Sequence, residues 1–162
     1  MIRTIKPVDA AHIAGIYNYY VVNSIVTFEF EPVSVDEMAK RIDTICKRYP
    51  YLVYEEEGIV LGYAYATQWK ARQAYQHSVE SSVYLHHEAI GKGVGSKLYT
   101  KLLDELKAMS IHAVIGGISL PNDASVALHE KFGFEKIGQL KQVGRKFNRW
   151  IDVGYWELII SK

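Results

Sequence analysis

Three glycines at alternate positions mark the sequence Gly91-Lys92-Gly93-Val94-Gly95-Ser96. Glycine lets the backbone approach a ligand closely, and the free N–H groups in the first turn of a helix point towards negative charge. An apolar run over residues 79–85 precedes the glycines, and a helical pattern over residues 94–109 follows them. The segment predicts a strand, an anion-binding loop and a helix, although a glycine-rich turn is also ordinary loop chemistry.

The glycine spacing excludes two common phosphate-binding motifs. A dinucleotide fingerprint needs glycines at its first, third and sixth positions, and a P-loop needs Gly-Lys-Ser/Thr after four spacer residues. Residues 91–96 meet neither pattern. The sequence therefore indicates a phosphate-bearing ligand other than NAD or ATP.

Length and composition indicate one domain. A chain of 162 residues with 49% hydrophobic content can bury roughly 70% of its unfolded surface, so we expect a single domain over residues 1–162. The net charge of +1 gives no global reason to expect nucleic acid or an anionic membrane as a partner. The lone Cys46 cannot form an intrachain disulfide, and neither a signal-peptide core nor an apolar run of about 20 residues is present. We expect a cytoplasmic protein.

Apolar periodicity predicts a mixed α/β structure in the order β, α, α, β, β, β, glycine loop, α, β, α, β, β. Strands are expected at residues 2–6, 51–54, 59–67, 79–85 and 113–118, with two more around a basic turn at residues 144–149. Asp9 can cap the first helix, and Ser34 has capping-box spacing to Glu37 at the start of the second. Two further helices are expected at residues 94–109 and 122–132.

Neither the cysteine nor the histidines indicate a separate chemical site. Cys46 lies beside the apolar face of the second helix, and we interpret it as a small buried side chain rather than a nucleophile. His86 and His87 would point apart on an extended segment, and no His-Glu-x-x-His or paired-cysteine pattern occurs. We predict no metal site.

Two segments together resemble a known superfamily. Residues 91–95 and the sequence Asn-Asp-Ala-Ser-Val-Ala-Leu-His-Glu-Lys-Phe-Gly-Phe at residues 122–134 resemble the acetyl-CoA-binding motifs of the GNAT N-acetyltransferases. Residues 27–29, 77–84 and 143–147 are similar to its phosphinothricin and methionine sulfoximine acetyltransferase branch. The resemblance implies the GNAT fold, a mixed central sheet of about six to seven strands flanked by about four helices.

The chain departs from the superfamily pattern at one position. The pyrophosphate motif usually begins with Arg or Gln three positions before its middle glycine, and Ile90 stands there. Backbone amides should still bind the pyrophosphate, but the polar side chain of the usual motif is missing.

The resemblance also implies a reaction, the direct transfer of acetyl from acetyl-CoA to the amine of a small molecule without an acyl-enzyme. An amine of pKa about 8 arrives mostly protonated, so a base is useful. Glu80, in a His-x-Val-Glu setting, is the candidate base, acting directly or through water, and the alternative is a strand glutamate that faces solvent. His129 is the candidate donor near the leaving sulfur, and the alternative is a hydrogen-bonded, inert histidine.

Binding residues follow from the same resemblance. The strand backbone at residues 83–85 would stabilise the oxyanion, and the expected acetyl-CoA contacts are Val83, Tyr84, Leu85, Gly91, Lys92, Gly93, Val94, Gly95, Ser96, Asn122, Ser125 and Lys131. Guanidinium groups suit carboxylates, and the expected substrate contacts are Arg72, Gln73, Ala74, Tyr75 and Phe28, with Arg145 and Arg149 secondary.

We therefore expect an acetyl-CoA-dependent N-acetyltransferase for a small amino-acid-like amine, with a role in detoxification and, as is common in the branch, a homodimeric assembly. The same fold could instead acetylate a protein N-terminus or lysine, which a groove open at both ends would favour. A sensor that binds acyl-CoA without turnover is a further alternative, and retention of Glu80 and His129 argues against it.

Overall fold

The computed structural model describes residues 1–161. The strands are β1 (Ile2–Thr4), β2 (Tyr51–Glu56), β3 (Ile59–Gln68), β4 (Ser78–Leu85), β5 (Ala113–Leu120), β6 (Glu135–Lys146) and β7 (Arg149–Ile159). The helices are α1 (Ala10–Asn23), α2 (Val35–Cys46), α3 (Val94–Ala108) and α4 (Asp123–Lys131). The element order confirms the predicted mixed α/β class. In this described part of the chain, every helix is too short or too polar to cross a bilayer.

The strands of residues 1–161 form one seven-stranded sheet in the order β1-β2-β3-β4-β5-β7-β6. Strands β4 and β5 at its centre are parallel, and the other neighbours are antiparallel. Pairing between β4 and β5 runs only from Ser78 opposite Ala113 to Glu80 opposite Ile115. Both strands then continue along their outer neighbours, β3 and β7. The sheet therefore opens into a cleft at its centre.

Helices cover both faces of the sheet. Leu98 and Leu102 of α3 pack with Val79 and Val114 on one face, where α4 also lies. On the other face, α1 and α2 pack against a cluster that includes Tyr63. Because strand side chains alternate, odd-numbered residues of β4 face α3 and α4, and even-numbered residues face α1 and α2.

The helix starts differ in detail from the predicted caps. The Ser34 hydroxyl accepts the Glu37 N–H at 3.1 Å, but the Glu37 carboxylate accepts from the Arg41 side chain and does not close the capping box. Asp9 precedes α1, and its buried carboxylate accepts from the Arg3 guanidinium instead of capping the helix. The partly buried Arg3 guanidinium outcompetes the helix N–H groups because a charge-assisted pair is the stronger bond.

The predicted burial of Cys46 is wrong. Cys46 is the last residue of α2 and is exposed, because Ile42 and Ile45 supply the apolar contacts at this end of the helix. Partial desolvation and the carboxylate of Asp43 raise the pKa of the thiol, which disfavours the nucleophilic thiolate.

The predicted basic turn is too wide. Strand β6 continues through Lys146, and the turn consists of Phe147 and Asn148, with φ of 52° and 57°. Two consecutive positive φ values are typical of a two-residue type I′ hairpin. Lys146 is therefore a strand residue, and its buried ammonium donates to the Thr27 carbonyl at 2.8 Å. This bond ties the loop between α1 and α2 to the hairpin.

Candidate active site

The cleft between β4 and β5 brings together several of the predicted site residues. It is lined by Val26, Ser81, Ser82, Val83, Tyr84, Gly117, Ile118, Ser119, Asn122, Ser125 and His129. Five of these lining residues were expected from the sequence. The Asn122 side chain also caps α4, since its Oδ1 accepts the Ser125 N–H at 3.1 Å.

The register of β4 shows which backbone groups face the cleft. His86 N–H donates to the Leu61 carbonyl at 2.9 Å, and Trp69 N–H donates to the Ser78 carbonyl at 3.3 Å. Alternate residues of an antiparallel strand bond to the same neighbour, so even-numbered β4 residues direct their backbone groups to β3. The Val83 N–H therefore points into the cleft. A fixed N–H of this kind can stabilise the oxyanion that forms when a thioester is attacked.

Glu80 does not itself line the cleft and lies beside it at Gly117, on the α1 and α2 side of the sheet. A Cβ atom at Gly117 would lie 3.2 Å from Glu80 Oε1, so the missing side chain leaves room for this carboxylate. Beside it, the Tyr155 and Trp69 rings meet edge to face at 5.8 Å between centroids. Desolvation raises the pKa of Glu80, and the positive charge of Lys70 opposes that shift. The carboxylate is therefore a stronger base than a solvated one.

His129 stands on the opposite side, on α4, and both of its ring nitrogens are engaged. Nδ1 lies 2.7 Å from the Ser125 carbonyl oxygen, and Nε2 lies 2.8 Å from the Tyr99 hydroxyl, which in turn lies 2.7 Å from Ser81 Oγ. A carbonyl only accepts, so Nδ1 carries the proton and Nε2 accepts from Tyr99. Burial lowers the pKa of His129, which favours this neutral form.

Two adjacent glycines of β5 serve the two sides separately. A Cβ atom at Gly116 would lie 2.6 Å from His129 Nε2, and one at Gly117 would crowd Glu80. Glycine inside a strand often marks such a close approach. The Gly-Gly pair is therefore a sequence signal for this part of the site, and it was not among the predicted features.

The glycine loop has the conformation of an anion cradle. Gly91 and Gly93 have φ of 80° and 77°, and Gly93 precedes α3 without a side-chain cap in the described chain. The first N–H groups of α3 are therefore free to bind a ligand. Lys131 of α4 donates to Ser96 Oγ at 3.0 Å, which places a cation beside the loop. These groups fit the pyrophosphate of acetyl-CoA, with the exposed Ile90 adding no polar group.

The predicted substrate residues lie around the cleft rather than in it. Residues 72–75 are exposed and include a short 3₁₀ turn just before β4. Phe28 packs on Gly144, where a Cβ atom would lie 2.4 Å from its ring. Arg145 stacks over the Trp150 ring at 5.1 Å, and the exposed Arg149 follows the hairpin turn.

The loop that carries Phe28 is held at several points. The Glu29 carboxylate accepts hydrogen bonds from both terminal nitrogens of Arg41, at 2.9 and 2.7 Å. It also accepts one from the Tyr17 hydroxyl. Together with the Lys146 bond to Thr27, these contacts fix the loop that carries Phe28 and the cleft-lining Val26. Within residues 1–161, the His, Cys, Asp and Glu side chains form no group of three that could hold a metal ion.

Comparison with known proteins finds a matching family and similar relatives. Residues 2–154 match the model of the acetyltransferase (GNAT) domain. The chain is 44% identical to a phosphinothricin N-acetyltransferase of Streptomyces viridochromogenes, over 96% of this chain and 85% of that protein. It is 37% identical to an L-methionine sulfoximine/L-methionine sulfone acetyltransferase of Salmonella typhimurium, over 99% of this chain and 95% of that protein.

A solved structure shows the same fold with the acetyl donor bound. The phosphinothricin acetyltransferase of Sinorhizobium meliloti in complex with acetyl-CoA superposes with a TM-score of 0.95 at 38% identity, covering 98% of this chain and 87% of that one. Because the family match spans nearly the whole chain and these relatives are similar over their length, the chain belongs to the GNAT acetyltransferase family.

Proposed function

We propose that this chain acetylates the primary amine of a small amino-acid-like compound, of the phosphinothricin or methionine sulfoximine type, with acetyl-CoA as co-substrate and detoxification as its role. One observation carries the proposal. The cleft presents the Val83 N–H between a desolvated carboxylate on one face of the sheet and a histidine-based hydrogen-bond chain on the other. The names of the relatives supply the substrate class.

Acetyl-CoA approaches from the α3 and α4 side in this proposal. The free N–H groups at the start of α3, with Lys131, hold the pyrophosphate. Asn122 uses its Oδ1 as a helix cap, so its amide N–H₂ is the part left to orient the pantetheine arm. The thioester carbonyl then lies against the Val83 N–H, which stabilises the negative charge formed on attack.

The amine approaches from the α1 and α2 side, where Glu80 takes the ammonium proton directly or through one water. A raised pKa makes this carboxylate a better base, and the mouth of the cleft gives the proton a route to solvent. The freed amine attacks the thioester carbon, and the collapsing intermediate expels the CoA sulfur towards the His129 side. Direct transfer fits an exposed Cys46 that is not among the residues lining the cleft.

The mouth of the cleft suits a small substrate better than a polypeptide. Tyr155 packs against Trp69 and lies beside Glu80 at Gly117, and the loop with Phe28 is anchored to the hairpin. We infer that these groups leave only a narrow approach to Glu80. Arg72, on the turn before β4, is the candidate for the substrate carboxylate because a guanidinium binds a carboxylate through two parallel bonds. A protein substrate would need an open groove instead.

The substrate class is tested by thiol release from acetyl-CoA with a panel of amines. We expect turnover with phosphinothricin, methionine sulfoximine and methionine sulfone. We expect weak or no turnover with peptides that keep a free α-amine at the N-terminus but have an amide in place of the neighbouring carboxylate. Activity confined to peptides would replace the proposal with protein acetylation. Absence of turnover with every amine, together with tight acetyl-CoA binding, would favour the sensor.

Gly93→Asp tests the phosphate cradle. The change adds a side chain at positive φ and a negative charge beside the phosphates, so calorimetric affinity for acetyl-CoA should fall by about 100-fold or more. Gly58→Asp is the matched control, because Gly58 has a φ of 80° and open space around its Cβ position, like Gly93, but lies in the β2–β3 turn. Equal affinity in a folded Gly93→Asp protein would contradict the assignment.

Glu80→Gln tests the base. The change keeps the size of the side chain but removes its basicity, so kcat should drop by about 100-fold with acetyl-CoA affinity unchanged. High pH, or an amine of low pKa, should restore part of the rate, because more amine is then neutral. Wild-type kcat at every pH would show that Glu80 only positions substrate or supports structure.

The direction of the Glu80 pKa also predicts stability. The pKa of Glu80 is raised in the folded state above its ordinary value of 4.5, so ionisation of this group costs more in the folded than in the unfolded chain. The group therefore destabilises the folded state as the pH rises above 4.5. At pH 7 the Gln variant should therefore unfold at the same or higher urea concentration than the parent. This result would separate a lost base from a damaged fold.

We also propose that the protein is a cytoplasmic homodimer that pairs through β6. This strand is an edge of the sheet, and its residues 135–143 are all exposed, including Ile137, Leu140 and Val143. An uncovered apolar edge strand is a pairing surface.

Light scattering should give a mass twice the chain mass of 18.4 kDa. Leu140→Asp should halve the measured mass, whereas Ile59→Asp, a control at an exposed hairpin position, should leave it unchanged. A single-chain mass for the parent would overturn the dimer.

A further inference from the structure

Three buried side chains connect the cleft to the interior on the α3 and α4 side. Ser81, Tyr99 and His129 are 5%, 0% and 4% exposed, and they join through two bonds of 2.7 and 2.8 Å. This row of hydrogen bonds ends at the Ser125 carbonyl, which accepts a hydrogen bond from His129 Nδ1. Hydroxyl groups in such a row both donate and accept, which is the requirement for moving a proton along it.

The hydrogen-bond chain has a defined polarity at rest. His129 Nδ1 donates to the Ser125 carbonyl, so Nε2 accepts from the Tyr99 hydroxyl. The Tyr99 oxygen then accepts the Ser81 hydroxyl proton. Ser81 Oγ is left with lone pairs available at the cleft, so the resting row accepts a proton from the cleft rather than donating one.

We propose that Ser81 is a catalytic residue that touches the reacting atoms, and that Tyr99 and His129 relay and store the proton that Ser81 exchanges with them. The inference rests on the proposed acetyl transfer and adds to it the route by which the leaving sulfur is protonated. His129 acts through Tyr99 and Ser81, because both of its nitrogens already bond within the protein.

The proton balance closes over one turnover. Glu80 has taken the first ammonium proton, and the C–N bond has formed. The π electron pair of the thioester carbonyl now lies on its oxygen, as the oxyanion of the tetrahedral intermediate. The second amine proton passes to Ser81 Oγ as the Ser81 proton moves to Tyr99 and the Tyr99 proton moves to His129 Nε2. When the carbonyl reforms and the C–S bond breaks, the sulfur keeps the electron pair. The three protons then move back, and CoA leaves as the thiol.

One hydroxyl can serve both steps because nitrogen and sulfur are bonded to the same carbon in the intermediate. Tyr99 passes protons without becoming a phenolate. Burial, with the Glu80 carboxylate adding to it, raises its pKa far above the working range, although the Ser81 bond opposes this. The other elements packed around His129 contribute the rings of Tyr99 and Phe134 and the bare backbone of Gly116.

Tyr99→Phe tests the relay because it removes the central hydroxyl and keeps the ring. With acetyl-CoA, kcat of the variant should fall by about 100-fold, and its solvent isotope effect should be smaller than that of the parent. With an S-aryl thioacetate, whose thiolate leaves without a proton, parent and variant should differ by less than about tenfold. A purely structural role for Tyr99 would lower the rates with both thioesters equally, and that result would overturn the relay.

Further variants protect the test against misfolding. Ser81→Ala removes the cleft end of the row, and Gly116→Ala places a Cβ atom 2.6 Å from His129 Nε2, so both should reproduce the Tyr99→Phe pattern. Tyr63→Phe, which removes a hydroxyl from the other buried core, is the matched control and should keep the parent rates and isotope effect. Parent-like kinetics in Ser81→Ala would overturn the role of Ser81. A parent protein inactive with every amine would reject the acetyl-transfer proposal itself.

Discussion

The site depends on the point where β4 stops pairing with β5. A strand in the middle of a sheet normally has all of its backbone groups bonded, and an unpaired group away from water is costly. Here the pairing ends at Glu80 and Ile115, so the next odd-numbered residues of β4 turn their N–H and carbonyl groups into a cleft. A ligand that completes these bonds restores part of the missing ladder. A linear molecule with amide and thioester groups, such as the arm of acetyl-CoA, suits that requirement.

The same opening makes the two faces of the sheet accessible to each other. Side chains of β4 alternate, which places Glu80 and Ser81 on opposite faces although they are adjacent in sequence. Strand β5 mirrors this arrangement with Gly116 and Gly117, each of which leaves room for one of the two groups. Removal of the first ammonium proton, by Glu80, and return of a proton to the sulfur, by Ser81, are therefore assigned to opposite faces, with the thioester between them.

The sequence predicted the elements and the glycine loop well because these depend on local patterns. Apolar periodicity and the helix start at residues 91–96 are encoded within a few residues, and the resemblance added Glu80 and His129 as candidates. The sequence could not reveal that Tyr99 joins Ser81 to His129, because those bonds span 18 and 30 residues. Tyr99 follows Leu98 on an apolar helix face, so periodicity alone assigns it to the core. The exposure of Cys46 also escaped prediction, since it depends on where α2 ends against the sheet.

The central claim is that the acetyl donor and the amine meet across the opened sheet, and a crystal structure with CoA and the acetylated product tests it most directly. We expect the CoA phosphates at residues 91–96 and the CoA sulfur within hydrogen-bond distance of Ser81 Oγ. The product amide nitrogen should lie on the Glu80 side of Val83. A structure with the CoA sulfur on the α1 and α2 side, or with the product away from Glu80, would contradict this arrangement.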